Sequence, residues 1–101
     1  MQNVDLARLL DEYADLLEIQ GANAFRVRAY RNASRTIESL AEPVSAIAAR
    51  GTHALTDLNG IGNDLARRIV DALGTGTFPE LEQARAQVPV EVRRMLNIPG
   101  I

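Results

Sequence analysis

The 101-residue chain holds no lysine, no cysteine and a single histidine, His53. Each absence removes a class of chemistry. Without cysteine there are no disulfides, no zinc fingers and no thiol nucleophile. One histidine cannot build a histidine metal cluster. All 11 basic side chains are arginine, and a guanidinium stays protonated near neutral pH, so no side-chain amine is present to form a Schiff base. No apolar run is long enough for a membrane span. The start, Met1-Gln2-Asn3-Val4-Asp5, lacks the basic and apolar regions of a signal peptide. A soluble intracellular protein is expected. Aromatic residues make up only 4% of the chain while alanine, leucine, arginine and glutamate abound, which favours helices over strands. The formal net charge of −2 argues against a broad basic surface, so any anion site must come from local charge distribution.

Length predicts one domain with one modest core. Val4, Leu6, Leu9, Leu10, Tyr13, Leu16, Leu17 and Ile19 recur at helical spacing. Asp5, Asp11, Glu12, Asp15 and Glu18 fill the other face, which reads as a solvated surface. This first helix ends near Gly21. A second runs from about Ala24 to Leu40, with Val27, Tyr30, Ala33, Ser34, Ile37 and Leu40 as its inner stripe. It carries Arg26, Arg28, Arg31 and Arg35, and no acid lies between Asn23 and Ile37. Arg28, Arg31 and Arg35 share one side of the helix.

Pro43 opens a short third helix through Val44, Ile47 and Ala48, stopped by Gly51. A helical turn over 52–57 leads into Leu58-Asn59-Gly60-Ile61-Gly62. The next helix spans Asn63 to Leu73, with Leu65, Ala66, Ile69, Val70 and Leu73 inward and Gly74 and Gly76 at its end. Thr77-Phe78-Pro79-Glu80 matches a capping box for a helix to about Gln87 that carries Leu81 and Ala84. Phe25 and Phe78 read as core residues. Pro89 opens a last short helix with Val92, Met95 and Leu96, in which Arg93 and Arg94 read as solvated. There is no strand alternation. The pattern gives an all-α, compact domain of five to six helices.

The most specific signal is Leu58-x-Gly60-Ile61-Gly62-x-x-Leu65-Ala66-x-x-Ile69, a helix-hairpin-helix pattern over about 52–73. The two glycines permit a tight turn and a close approach of backbone. Ile61 plugs the core between them. The N–H groups of Gly60, Gly62, Asn63 and Asp64 then face outward and can hold a phosphate oxygen without reading a base.

Almost the whole chain resembles the amino-terminal helix-hairpin-helix, or lyase, domain of family X DNA polymerases, the DNA polymerase beta-like group in its bacterial form. The stretches that carry the resemblance are Ala14-Asp15-Leu16-Leu17-Glu18-Ile19, Asn23-Ala24-Phe25-Arg26-Val27-Arg28-Ala29-Tyr30-Arg31, the hairpin, and Ile98-Pro99-Gly100-Ile101. Ala24 replaces the proline of the bacterial signature, and Asn59 stands where proline is common. The resemblance implies one domain over 1–97, with 98–101 the stub of a second hairpin. It implies a DNA-binding module that grips gapped or 5′-phosphorylated DNA in repair, in the cytoplasm at the nucleoid. It also implies a monovalent cation, sodium or potassium, on the carbonyls of Thr56, Leu58 and Ile61, and no other cofactor. In the animal enzyme of the family a lysine on the helix after the hairpin attacks the sugar of an abasic 5′ end. Arg68 takes that position here, while Asp64 and Glu80 replace two further lysines of the phosphate pocket. Arg26 and Tyr30 match a cationic and a tyrosine position of that pocket.

A binder without catalysis is therefore expected, through Arg26, Arg28, Tyr30, Arg31, Arg67, Arg68 and the hairpin. A longer parent would carry the DNA-directed polymerase. Two alternatives stand beside it: an active lyase, for which Met1 offers the only amine, and a protein-interaction domain on the same fold. Local ambiguities stay open too. The arginine stripe either tracks phosphates or pairs with the acids of the first helix. Arg26 with Tyr30 is either a phosphate grip or a core tyrosine beside a surface arginine.

Overall fold

The structure is a computed structural model and describes residues 1–88. The helix expected from Pro89, with Arg93 and Arg94, and the second hairpin at 98–101 lie outside the described residues. Among those described there are six helices and no strand: α1 (Asn3–Ile19), α2 (Ala24–Glu38), α3 (Val44–Ala49), α4 (Thr52–Thr56), α5 (Asn63–Thr75) and α6 (Pro79–Gln87).

Helices α1 and α2 form an antiparallel pair because the chain between them is a tight, capped corner. Gly21 takes a left-handed φ of 76°. Its N–H bonds the Glu18 carbonyl at 3.1 Å, and the Ala22 N–H bonds that of Leu17 at 2.9 Å. This 6→1 and 5→2 pattern is a Schellman ending, which glycine favours. Two residues later Asn23 caps α2, its Oδ1 accepting the Phe25 N–H at 2.7 Å. The interface is lined with small residues: Ala7, Ala14 and Ala33 are fully buried, and the Ser34 hydroxyl donates to the Ala7 carbonyl at 3.1 Å. Leu6, Leu10, Leu16 and Leu17 pack there with Val27, Tyr30 and Ile37.

Helix α3 starts against the beginning of α1, where Asn3 Oδ1 accepts the Val44 N–H at 2.8 Å. The α4–hairpin–α5 unit buries Leu55, Ile61, Leu65, Ala66, Ile69 and Ala72. Helix α6 closes over α1 through Leu81, Ala84 and Phe78. Phe78 is fully buried and meets the Tyr13 ring edge-to-face at 5.3 Å.

Several sequence expectations are corrected. Helix α2 stops at Glu38, because the Ser39 and Leu40 N–H groups close the last turn back onto Arg35 and Ile37. Helix α5 runs through Gly74, and Gly76, at a φ of 84°, ends it. Val70 is exposed, since the buried arc runs through Leu65, Ala66, Ile69 and Ala72 and leaves it to one side. No capping box forms at Thr77. Pro79 occupies the first helical position, so Phe78 is the cap residue. The Thr77 hydroxyl bonds Glu82 at 2.8 Å and Glu80 turns to Arg67.

The acidic face of α1 is not simply solvated. Glu12 is only 4% exposed and receives Arg85 of α6 in a two-pronged pair, Nε to Oε2 and Nη2 to Oε1, each at 2.7 Å. Such a fork satisfies both carboxylate oxygens and offsets the cost of burying the charge. Removing one partner strands the other. Arg85→Ala is expected to lower stability by about 2–3 kcal/mol, discounted from the fully buried case because Arg85 is partly exposed. Urea unfolding checks this, and a loss below about 0.5 kcal/mol would show the pair to be ornamental.

At the first position of α2 the geometry suits proline. Asn23 sits at φ −55° and ψ 134°, the extended region that a following proline requires. Ala24→Pro should raise stability by about 0.4–1 kcal/mol by restricting the unfolded chain. A lower urea midpoint would contradict this.

Candidate nucleic-acid interface

The hairpin turn is closed by the Ile61 N–H, which bonds the Leu58 carbonyl at 3.1 Å, with Gly60 at a φ of 80°. Left-handed backbone at the third position of a turn is the place for glycine. Asn59, in place of the family's proline, does not undo the turn. Its carbonyl accepts the Thr36 hydroxyl at 3.0 Å, which ties the hairpin to α2. Ile61 is buried as its position between the glycines predicts.

Gly62 is the cap residue of α5, in extended backbone and with no side-chain cap. The Gly62 carbonyl takes the Ala66 N–H at 2.9 Å, so the N–H groups of Asn63, Asp64 and Leu65 have no acceptor within the helix. They are the positive end of a 13-residue helix. A side-chain carbon at Gly60 or Gly62 would meet no atom within 4 Å. The space these glycines keep clear therefore lies outside the protein.

That open helix end forms one wall of a cleft of about 590 Å³. Gly62, Asn63, Asp64, Leu65 and Arg68 line it from the α5 side, and Arg26, Ala29 and Tyr30 from α2. Arg26 is fixed at the rim by donating to the Tyr13 hydroxyl at 3.0 Å. Tyr30 is buried and packs edge-to-face on Tyr13 with ring centres 4.8 Å apart. Burial pushes its hydroxyl pKa up, against the opposing pull of Arg68, so it stays a neutral hydrogen-bonding group. The Arg68 guanidinium lies over the Tyr30 ring at 5.9 Å. Tyr30 is thus a core tyrosine and a lining residue at once.

The expected arginine stripe divides. Arg31 is taken by α1, at 2.7 Å from Asp15 and 3.0 Å from Glu18, so for this residue internal pairing wins. Arg28 makes no ion pair among the described residues and lies 5.1 Å from the centre of the Phe25 ring. Arg67 turns from the cleft to Glu80 at 3.0 Å and Asp71 at 4.0 Å. Of the sequence-predicted set, the cleft gathers Arg26, Tyr30, Gly62, Asn63, Asp64 and Arg68.

Phe25 is 76% exposed, a correction to its reading as core. Two residues from Val27 and five from Tyr30, it falls on the opposite side of α2 from the buried stripe. A helical wheel carries that signal. Phe25 precedes Arg26 in the first turn of α2 and carries Arg28 against its ring, but it does not line the cleft itself.

The carbonyls implied for a monovalent cation are partly free. That of Leu58 already accepts the Ile61 N–H, whereas those of Thr56 and Ile61 accept no backbone N–H outside the helices among the described residues. Oxygen donors with spare lone pairs fit a hard cation.

Residues 1–78 match a family described as a helix-hairpin-helix domain. All 101 residues align at 29% identity with the DNA polymerase/3'-5' exonuclease PolX of Bacillus subtilis (strain 168), and the chain covers 17% of that relative's length. The profile match spans α1 through the hairpin and α5 to Phe78, the elements that build both walls of the cleft. The chain belongs to the helix-hairpin-helix domain family.

Proposed function

We propose that the cleft between α2 and α5 holds a DNA phosphate, and that the chain is a DNA-binding module for gapped or 5′-phosphorylated ends. The observation that carries this is the convergence of an open helix N-terminus with Arg26, Tyr30 and Arg68 on one concavity. Backbone N–H groups and guanidinium forks are matched to phosphate oxygens and are indifferent to base identity. A terminal phosphate carries more charge than an internal diester and enters a cleft end-on. Phe25, with Arg28 beside it, offers a stacking face for an unpaired base at the gap. The Thr56, Leu58 and Ile61 carbonyls would hold a sodium or potassium ion, adding positive charge under the hairpin.

The module binds without catalysing. No lining residue of the cleft carries an amine, and Arg68 cannot supply one. In this reading the chain is part or relative of a longer repair polymerase of the PolX kind, working in the cytoplasm.

Binding to duplex DNA with a one-nucleotide gap, with and without a 5′-phosphate, tests the proposal by fluorescence anisotropy across a salt series. The 5′-phosphate should tighten binding. The dependence on salt should be shallow, about −0.9 in log–log slope per phosphate contacted, because one cleft meets few phosphates. Arg26→Ala should cost roughly tenfold, the loss of about one charge-assisted hydrogen bond, and most of the 5′-phosphate preference with it. Phe25→Ala should weaken gapped DNA more than unbroken duplex. No binding by the parent chain at low salt overturns the reading and leaves a protein-interaction role for the same face.

The absence of lyase chemistry has its own measurement. Borohydride reduction with a 5′-abasic substrate is expected to trap no adduct, and a trapped species would assign the reaction to an amine outside the cleft.

A further inference from the structure

Glu80 sits in the first turn of α6, opposite the two arginines that follow the hairpin. Its Oε2 accepts from Arg67 Nη2 at 3.0 Å. Its Oε1 lies 3.6 Å from Arg68 Nε, beyond hydrogen-bond length. Both of those atoms are buried and neither has a hydrogen-bond partner among the described residues. The Arg68 side chain is only 11% exposed. A buried charged donor and a buried charged acceptor thus face one another without closing the bond, which is a costly arrangement. Arg68 meanwhile lines the cleft. It has a poor internal partner and an open external side.

We infer that Glu80 is an internal competitor for the phosphate: its carboxylate holds Arg68 in the free protein, and a phosphate in the cleft must draw Arg68 away from it. The inference rests on the cleft being a phosphate site. Carboxylate and phosphate each offer a guanidinium a pair of oxygens that can accept two parallel N–H bonds, so one can replace the other. The exchange does not require α6 to move. Phe78 and Leu81 are fully buried on either side of Glu80, and Arg85 is clamped to Glu12, so the helix is anchored independently. Rotation of one side chain is enough. Burial pushes the Glu80 pKa up, but its own backbone N–H, the Arg67 hydrogen bond and the charges of Arg68 and Arg67 outweigh this and hold it below the usual carboxylate range. The competitor is therefore charged wherever DNA binding would be measured. Asp64, also in the cleft wall, adds a field of the same sign but has no ion pair with Arg68.

The test is a double-mutant cycle on gapped 5′-phosphorylated DNA. Glu80→Gln keeps size and removes the charge, and should tighten binding about tenfold. In an Arg68→Ala background the same change should give little gain, because the competed group is gone. Asp64→Asn, acting through the field alone, should give a similar gain in both backgrounds. No gain from Glu80→Gln, or an equal gain with and without Arg68, overturns the competitor. Inorganic phosphate, titrated while following the Arg68 Nε–Hε resonance, reads the exchange without DNA. It should saturate at lower concentration in Glu80→Gln, and equal midpoints overturn the inference. Failure of both proteins to bind DNA while the phosphate titration responds would remove the DNA reading and keep the competitor. If Glu80→Gln does not fold, Glu80→Asp, which keeps the charge but withdraws it by one methylene, should give a smaller gain that again disappears in the Arg68→Ala background; an equal gain in both backgrounds overturns the competitor.

Discussion

The edge-to-face contact of Tyr30 on Tyr13 is where the core and the cleft meet. The rings sit 4.8 Å apart at 89°, and on the far side Tyr13 meets Phe78 at 86°. That aromatic chain runs from α2 through α1 to the start of α6. It fixes the rotation of α2, and with it the direction in which Arg26 and Ala29 point. Tyr13 also accepts the Arg26 hydrogen bond at 3.0 Å, so the same residue that packs the core orients the rim. Arg68, over Tyr30, is positioned from the other wall. Few side chains thus determine the distance between two helix ends. This is economical in a chain of modest size, whose core cannot supply many independent constraints.

Charge is distributed by the same logic. In a chain with net charge −2, an anion site is helped where acids are paired internally, although Asp64 still faces the cleft. Asp15 and Glu18 are occupied by Arg31, Glu42 by Arg50, and Glu12 by Arg85. The pairing consumes arginines as well as acids. Arg26, hydrogen-bonded to the Tyr13 hydroxyl on the cleft rim, and Arg28, against the Phe25 ring, make no ion pair among the described residues. Because a guanidinium cannot lose its proton, this selection has to be made by geometry and not by shifted pKa values.

Much of this was legible in the sequence, and the reasons for the rest are physical. The hairpin could be read because glycines at 60 and 62 and an apolar residue between them have few other uses. Helix ends near Gly21 and at Gly51 followed from glycine as a helix stop. Glu12 could not be read: helical periodicity puts it among polar neighbours, and its partner Arg85 lies 73 residues away. Long-range pairing leaves no local trace. Thr77 failed for a different reason. Two start signals compete there, and proline at the first helical position prevails over a threonine cap because its φ is fixed. Phe25 was misread by residue type when its angular position already opposed the buried stripe.

Arg68 and Glu80 make sense as a pair. The resemblance to family X domains implies lysines at both positions, two cations that hold a phosphate together. The Arg68 side chain is only 11% exposed, and its planar guanidinium finds partners in part in the Tyr30 ring and in part in the Glu80 carboxylate. An anion at 80 is complementary to a guanidinium at 68. The pair is an ion pair at 3.6 Å in which neither Arg68 Nε nor Glu80 Oε1 has a hydrogen-bond partner among the described residues. Arg68 is thus held in the wall by Tyr30 and Glu80 while it still lines the cleft, where a phosphate could offer it the hydrogen bond that Glu80 does not.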